Sequence, residues 1–361
     1  MSDWAENFAL LRCLQCGREL CCDDGPDLPG GLRCVSCGRE YPQAGGAAVM
    51  FAEPGRAEIL TNPERYAQHL ASLENKAKQA SGLTADQLGQ FRQDEPEDSL
   101  GWEILFWERW KNDDAGFLDF NAERIEEFLA NDCEGGGRAG FFEEIRKHCP
   151  DLAGKKLLNI GAGRDFLLER FTRAGCEVFE QDTVLEPLKL LKDRGASFCV
   201  CSDARLLPFA DNTFDLVTSF AVLHHIWPIE QTLAELLRVL KPGGLACFNE
   251  PNAWAITRAA LVLPSLLKRK LKRFYSGDDT PSPYERSIGP LKFRRAIRAN
   301  GGQIAEMSFK RTSWISPQSQ GLKKFLRKVN IAAAHLLPIT SSHFSALVRK
   351  QEPRINTDVH R

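Results

Sequence analysis

At 361 residues the chain exceeds one average domain, and its 43% hydrophobic and 26% charged fractions exclude a disordered or fibrous protein. The net charge of -1 hides an asymmetry: residues 1–250 carry 26 Lys and Arg against 42 Asp and Glu, whereas residues 251–361 carry 21 against 6. No stretch approaches the roughly 18 unbroken apolar residues of a spanning helix. The acidic opening Met1-Ser2-Asp3-Trp4-Ala5-Glu6 also lacks the basic and apolar regions of a signal peptide, so a cytoplasmic location is expected.

In such a chain the twelve cysteines point to metal ligands and buried thiols rather than disulfides. Cys13-Leu14-Gln15-Cys16 and Cys34-Val35-Ser36-Cys37 are separated by 17 residues, the spacing of a four-thiolate zinc site. Each pair sits in a near-copy of one motif, Leu-Arg-Cys-x-x-Cys-Gly-Arg-Glu, at 11–19 and 32–40. The Gly after each second Cys lets the chain turn tightly, so that backbone N–H groups face the sulfurs. A structural zinc on Cys13, Cys16, Cys34 and Cys37 is therefore expected to fold a small ribbon over residues 1–55. With four thiolates the site is closed to catalysis, and Cys21 and Cys22 read as bystanders.

Residues 56–139 are poor in strand signals and read as a mostly helical linker or lid segment. Trp102, Ile104, Leu105, Phe106, Trp107 and Trp110 form an aromatic cluster, expected as the packing face of a helix rather than a substrate lid. The polar tract 76–99 reads as a flexible linker, and Glu134-Gly135-Gly136-Gly137 as a loop.

Residues 140–350 alternate strand and helix signals, which predicts an α/β domain with a parallel sheet and ligands at the carboxyl ends of its strands. A helical pattern at Phe141, Phe142, Ile145 and His148 leads in. Lys156 to Ile160 is an apolar strand ending in Gly161-Ala162-Gly163, and 166–171 looks helical. A second strand, Glu177 to Asp182, ends in a carboxylate placed to accept both hydroxyls of a ribose. Further strands are expected at Ser197 to Cys201, around Leu216-Val217, at Leu245 to Phe248 after the Lys241-Pro242-Gly243-Gly244 turn, at Gln303 to Trp314 and at His343 to Val348. Residues 351–361 read as a disordered tail.

Four elements follow in order: Asn159-Ile160-Gly161-Ala162-Gly163; Asp182; Asp203-Ala204 with Leu207-Pro208-Phe209 and Phe214-Asp215; and Leu223-His224-His225-Ile226 with Arg238-Val239-Leu240-Lys241-Pro242-Gly243-Gly244. Residues 156–252 thereby resemble the class I S-adenosylmethionine-dependent methyltransferases, of the type 11 group. Residues 11–51 resemble the short zinc ribbon fused ahead of many bacterial methyltransferases. The resemblance implies a Rossmann-like sheet of seven strands, the last antiparallel, with S-adenosylmethionine as cofactor. It assigns Gly161 and Gly163 to the methionine part, Asp182 to the ribose, Asp203 and Ala204 to adenine, and Phe220 to the reactive side. Asn159 stands where the family usually carries an acid and keeps hydrogen-bonding capacity. Arg164-Asp165 replaces the common Thr-Gly. Asp165 suits a helix N-cap, and a carboxylate there favours a ligand without phosphate.

His224 and His225 follow the fourth strand, beside the expected acceptor, and His225 is the candidate catalytic base. Cys199 and Cys201 are expected to face the core. The strand exit Ser219-Phe220-Ala221-Val222 lacks the Asn/Asp-Pro-Pro-aromatic clamp of nucleobase amine methylases. The basic third carries Lys268-Arg269-Lys270-Leu271-Lys272-Arg273 after the apolar 259–267, and Leu322 to Val329 has similar chemistry. These suit peripheral contact with an anionic membrane, at its inner face, beside the alternatives of a lid helix over the substrate pocket and a solvated charged face. The reading is thus a zinc-ribbon methyltransferase acting on a small or amphipathic acceptor: quinone-like, lipid-linked or a secondary metabolite. The alternatives are an RNA methyltransferase, with nucleic acid on the basic third, and a non-catalytic binding protein on the same fold.

Overall fold

A computed structural model describes residues 7–23, 31–80, 99–113, 125, 138–253, 287–310, 321, 341 and 343–352. Two sheets organise it. The smaller is an antiparallel ribbon of β1 (Leu20–Asp23), β2 (Gly31–Cys34) and β3 (Glu40–Tyr41). The larger contains β4 (Gln43–Ala44), β5 (Ala47–Met50), β6 (Lys156–Ile160), β7 (Glu177–Asp182), β8 (Phe198–Ser202), β9 (Phe214–Phe220), β10 (Leu240–Pro251), β11 (Gly302–Lys310) and β12 (His343–Lys350). Its order is β11-β12-β10-β9-β6-β7-β8-β5-β4.

The expected seven strands are β11, β12, β10, β9, β6, β7 and β8, with β12 antiparallel to both neighbours. The sheet is nine-stranded rather than seven-stranded because the β4–β5 hairpin adds to it, β5 pairing parallel with β8 through Val49↔Cys201 and Met50↔Ser202. The reason lies in the residues. Every residue of β8 and of β5 is buried, so β8 is no exposed edge, and the small apolar run Ala47-Ala48-Val49-Met50 covers it.

Among the described residues the α-helices are α1 (Pro54–Thr61), α2 (Pro63–Ala80), α3 (Ser99–Asp113), α4 (Arg138–His148), α5 (Leu168–Arg173), α6 (Leu185–Asp193), α7 (Ile229–Val239) and α8 (Pro290–Ala299). The period-2 alternation of the strands divides the core between the two sheet faces. Leu157, Val178, Cys199 and Leu216 face α4, α5 and α6 through Phe142, Ile145, Phe171 and Leu188. Leu158, Phe179, Val200 and Val217 face Leu233, Leu236 and Leu237 of α7, Phe293 and Ile297 of α8, and Leu11, Leu32 and Tyr41 of the ribbon. Cys199 and Cys201 lie in the core as expected, where burial pushes both thiols up.

The aromatic cluster of α3 serves two purposes. Trp102 and Leu105 pack on Leu73 and Ala77 of α2, whereas Glu103, Phe106 and Trp107 line a cavity. The side chain of Trp110, the linker residues 81–98, the loop 134–137 and the basic segments 259–274 and 322–329 lie outside the described residues.

Several motif residues are scaffolding. Asp215 accepts the Lys156 N–H at 3.0 Å and the Lys241 ammonium at 2.9 Å, tying together the starts of β6, β9 and β10. Burial opposes its ionisation, but those two donors hold the carboxyl below its ordinary value. Arg238 donates to the carbonyls of Phe209 (2.7 Å) and Leu207 (2.9 Å) and pins the segment after β8.

Phe179 sits at the centre of one face, with ring centroids of Phe214, Phe198 and Phe209 at 5.2, 6.0 and 6.4 Å. Phe179→Ala is expected to cost about 3–5 kcal/mol, read as a lower denaturant midpoint without a change of slope.

Candidate functional site

The four motif cysteines meet. Their Sγ atoms all lie within 4.8 Å of one another, with Cys13–Cys37 at 3.6 Å, Cys16–Cys34 at 3.4 Å and Cys16–Cys37 at 3.7 Å. A tetrahedral zinc with Zn–S bonds of about 2.3 Å separates its sulfurs by about 3.8 Å, so the cluster fits the ion. The repeated motif folds into two equivalent turns. Gly17 and Gly38 both take φ +72°, and each donates its N–H to the carbonyl of the first cysteine of its pair. Burial disfavours a thiolate at Cys34, but the Cys37 and Ser36 amides outweigh it and hold this thiol near 6. Tyr41 Oη accepts the Leu14 N–H at 2.9 Å and lies 3.3 Å from Cys13 Sγ, which aims its proton at the sulfur. Cys21 and Cys22 stay outside the cluster.

A second centre opens at the carboxyl ends of β6, β7 and β9, as a cavity of about 340 Å³. That volume is within the roughly 300–1,000 Å³ of small-molecule sites. Seven of the eight residues singled out by sequence beyond the thiolates line it: Asn159, Gly161, Gly163, Asp182, Ala204, Phe220 and His225. Asp203 does not; its carboxylate is held by the Arg205 guanidinium at 2.7–3.1 Å, and Arg205 lines the cavity in its place.

Gly161 has φ +65°, and a Cβ there would overlap the side chain of Val222. The following turn closes on Asp182, whose two oxygens accept the N–H groups of Gly163 (3.0 Å) and Val184 (2.9 Å). Burial pushes this carboxyl up to about 6, against those two donors and with a contribution from the charge of Glu103.

The departures from the family pattern have local causes. Asn159 pairs across the sheet with Glu180, a fully buried acid, and donates Nδ2–H to its Oε2 at 2.9 Å while its Oδ1 accepts the Thr218 hydroxyl at 3.0 Å. Burial, then the nearby Asp165, raises Glu180 well above its ordinary value, and the Asn159 amide supplies it with an N–H donor that a carboxylate at 159 would lack. The expected N-cap role of Asp165 is corrected. The helix starts only at Leu168, and Asp165 instead makes a two-residue turn by accepting the Leu167 N–H at 2.8 Å. Arg194 pins that turn by donating to the carbonyls of Arg164 (2.6 Å) and Asp165 (2.7 Å).

Both histidines line the cavity, and each has a carboxylate partner that sequence reasoning missed. Glu250, at the end of β10 and fully buried, accepts the N–H groups of Val222, Leu223 and His224 and lies 3.0 Å from His224 Nδ1. Glu103 of α3 lies 3.1 Å from His225 Nδ1. Only the Asn249-Glu250-Pro251 strand end signalled the first; nothing local signalled the second, which joins residues 122 apart. Arg138 was missed as well; its guanidinium sits 4.6 Å from the Phe220 ring centroid and 4.7 Å from that of Phe166.

Residues 158–248 match the family model described as a methyltransferase domain. A demethylmenaquinone methyltransferase of Renibacterium salmoninarum is 39% identical over 105 residues, 28% of this chain and 44% of that protein. One from Thermobifida fusca is 36% identical over 139 residues, 37% and 58% of the two chains. A ubiquinone biosynthesis O-methyltransferase of Nitrosococcus oceani is 32% identical over 116 residues, 30% and 49% of the two. The chain spans about half the length of the curated relatives it matches.

Metal analysis of the purified protein is expected to give about one zinc per chain, and Cys34→Ser to abolish it. Tyr41→Phe should keep the metal but weaken its retention against a chelator by about ten- to hundredfold. A folded wild-type ribbon without metal would contradict this.

Proposed function

We propose that this chain, which carries a methyltransferase domain over residues 158–248, binds S-adenosylmethionine in the cavity and directs its methyl group to a quinone-like small molecule. The observation that carries the reading is the Gly163–Asp182 bond, which brings the glycine turn and the carboxylate ending β7 together on one cavity wall. Each Asp182 oxygen accepts one backbone N–H, and a carboxylate offers about four acceptor positions, so two ribose hydroxyls can still be held. The cavity wall mixes the carboxyl groups of Glu103, Asp165 and Asp182 with the guanidinium groups of Arg138, Arg164 and Arg205, which suits a ligand that carries both an amino-acid zwitterion and a sulfonium. In this reading Gly161 and Gly163 would flank the methionine part and Ala204 the adenine, with Asp203 acting through Arg205. Asn159 would support the turn from below, and Phe220 would face the reactive end.

When bound, the cofactor supplies an electrophilic methyl carbon on a positively charged sulfur. The chain's own contribution is to orient the acceptor, keep water out and remove a proton where the acceptor must lose one. His225 is proposed for that proton transfer. The quinone-like class rests on the names of the relatives and on the aromatic lining of Phe106, Trp107, Phe141, Phe166 and Phe220.

An acceptor of this kind is lipophilic, and the proposal places the enzyme against an anionic lipid surface. Among the described residues, α8 offers support. Its inner face buries Phe293, Ala296 and Ile297, while Leu291 (53% exposed), Arg294, Arg295 and Arg298 share the outer face. Lys292 next to them lies 4.0 Å from the Trp227 ring centroid, close to the cavity residue Ile226.

Calorimetry is expected to detect S-adenosylmethionine binding to the wild type. Asp182→Asn should weaken it by about ten- to hundredfold. A carboxyl raised to about 6 must ionise to accept the ribose hydroxyls, so wild-type affinity should be constant above that pH and fall below it. Absence of binding at any pH would end the reading.

The vesicle experiment is separate. Replacing Arg294, Arg295 and Arg298 by Gln should weaken co-sedimentation with anionic but not neutral vesicles, at about 1 kcal/mol per charge. Unchanged sedimentation, or tight RNA binding without vesicle binding, would remove the membrane part.

A further inference from the structure

Resting on the function proposed above, we propose that α3 is the wall of the cavity that reads the acceptor. In this arrangement Glu103 is the positioning residue that readies His225 for a hydroxylated aromatic ring.

The first argument is provenance. Gly161, Gly163, Asp182 and Ala204 all belong to the matched stretch 158–248, whereas Glu103, Phe106 and Trp107 come from a helix outside it. A scaffold shared by many reactions takes its specificity from such added segments.

The second is geometry. Residues 103, 106 and 107 follow the i, i+3, i+4 spacing that shares one helix face. The opposite side is anchored: Trp102 and Leu105 pack on Leu73 and Ala77, and Gly101 lets α3 approach α2 so closely that a Cβ there would meet Leu73 Cδ2 at 2.9 Å. The wall is therefore seated on a second helix.

The third is the contrast between the two histidine–carboxylate pairs. Glu250 serves three backbone amides of the turn that also carries His224, so this pair belongs to the fold of the turn. Glu103 reaches His225 from another element and is a fifth exposed. With Nδ1–H donated to Glu103, the lone pair of His225 is on Nε2.

The ring surfaces near it suit a planar aromatic molecule. Phe106 lies 6.3 Å from the His225 ring, and Phe220 meets Phe141 edge-on at 5.4 Å. A base is of use only if that ring carries a hydroxyl. The O–H bond would break with its proton passing to His225 Nε2, and the oxygen so freed would form the bond to the methyl carbon. The carbon–sulfur bond breaks with its electron pair left on sulfur. The charge of Glu103 stabilises the imidazolium until its proton passes to water.

The experiment uses the full chain with 1-naphthol and 1-methoxynaphthalene as binding probes, read by calorimetry in the presence of S-adenosylhomocysteine. Glu103→Gln should weaken 1-naphthol about tenfold and leave the methoxy compound unchanged, and Glu103→Asp should restore most of the loss. Phe106→Ala should weaken both probes. Phe106→Ala should bind S-adenosylmethionine within about twofold of wild type, whereas Glu103→Gln, which removes a charge near Asp182, is judged by the ratio of its naphthol to its methoxynaphthalene affinity. With labelled S-adenosylmethionine and 1,4-dihydroxynaphthalene, Glu103→Gln should lower kcat and move the alkaline-rising limb of its pH profile, which a role confined to packing would not do.

Normal cofactor binding with naphthol affinity and pH profile unaltered in Glu103→Gln and Phe106→Ala overturns this proposal alone. Loss of cofactor binding in the wild type overturns the function it rests on.

Discussion

In a parallel sheet neighbouring strands release their chains at the same edge, and the cavity depends on this constraint. β6 is paired in parallel with β7 on one side and β9 on the other, so the chain segments leaving β6 and its neighbours diverge to opposite sides. A crevice opens where they part. Gly161, Asp182 and Phe220 stand at the ends of those three strands and meet there without being near in sequence. The turn at Gly161 has to be glycine twice over, for its positive φ and for the Val222 side chain pressed against it.

Much of the sequence signature holds this edge in place rather than lining it. Asp215 and Lys241 bind the opposite ends of β6, β9 and β10, and Arg238 grips the carbonyls of Leu207 and Phe209. The residue pattern that draws attention to the domain thus mixes cavity residues with residues that fix the register of the sheet. Asn159 belongs to both groups, since it faces the cavity and its amide bonds Glu180 Oε2 and the Thr218 hydroxyl beneath.

The ribbon is mechanically part of this arrangement. Beyond its thiolate cluster the chain runs through β4 and β5 into the edge of the large sheet, and residues 10–12 bond the segment after β8 through Arg12 N–H to Pro208 O and Ala210 N–H to Leu10 O. That segment begins with Ala204 and Arg205 of the cavity. Paired backbone thus connects the thiolate ribbon to the segment that begins at the cavity. The Phe8 ring adds to this by meeting Phe198 edge-on at 5.7 Å.

What the sequence alone determined is everything carried by local pattern. The cysteine spacing dictated the four-sulfur cluster. The strand alternation dictated the parallel core and its order of elements, and the glycine turn with the carboxylate 21 residues on marked the cavity, because each is a short-range demand on backbone or spacing. Only the tertiary structure decided the rest. It carried the β4–β5 hairpin to the β8 edge, gave the Asp203 carboxylate to Arg205, began the helix after Asp165 two residues late, and set Glu250 and Glu103 behind the two histidines. The hairpin and the two histidine partners are contacts between elements far apart in the chain. A carboxylate on an otherwise ordinary helix, as at Glu103, has no local signal of the imidazole it will meet; the meeting is made by the packing of α3 on α2 and of the turn on β10.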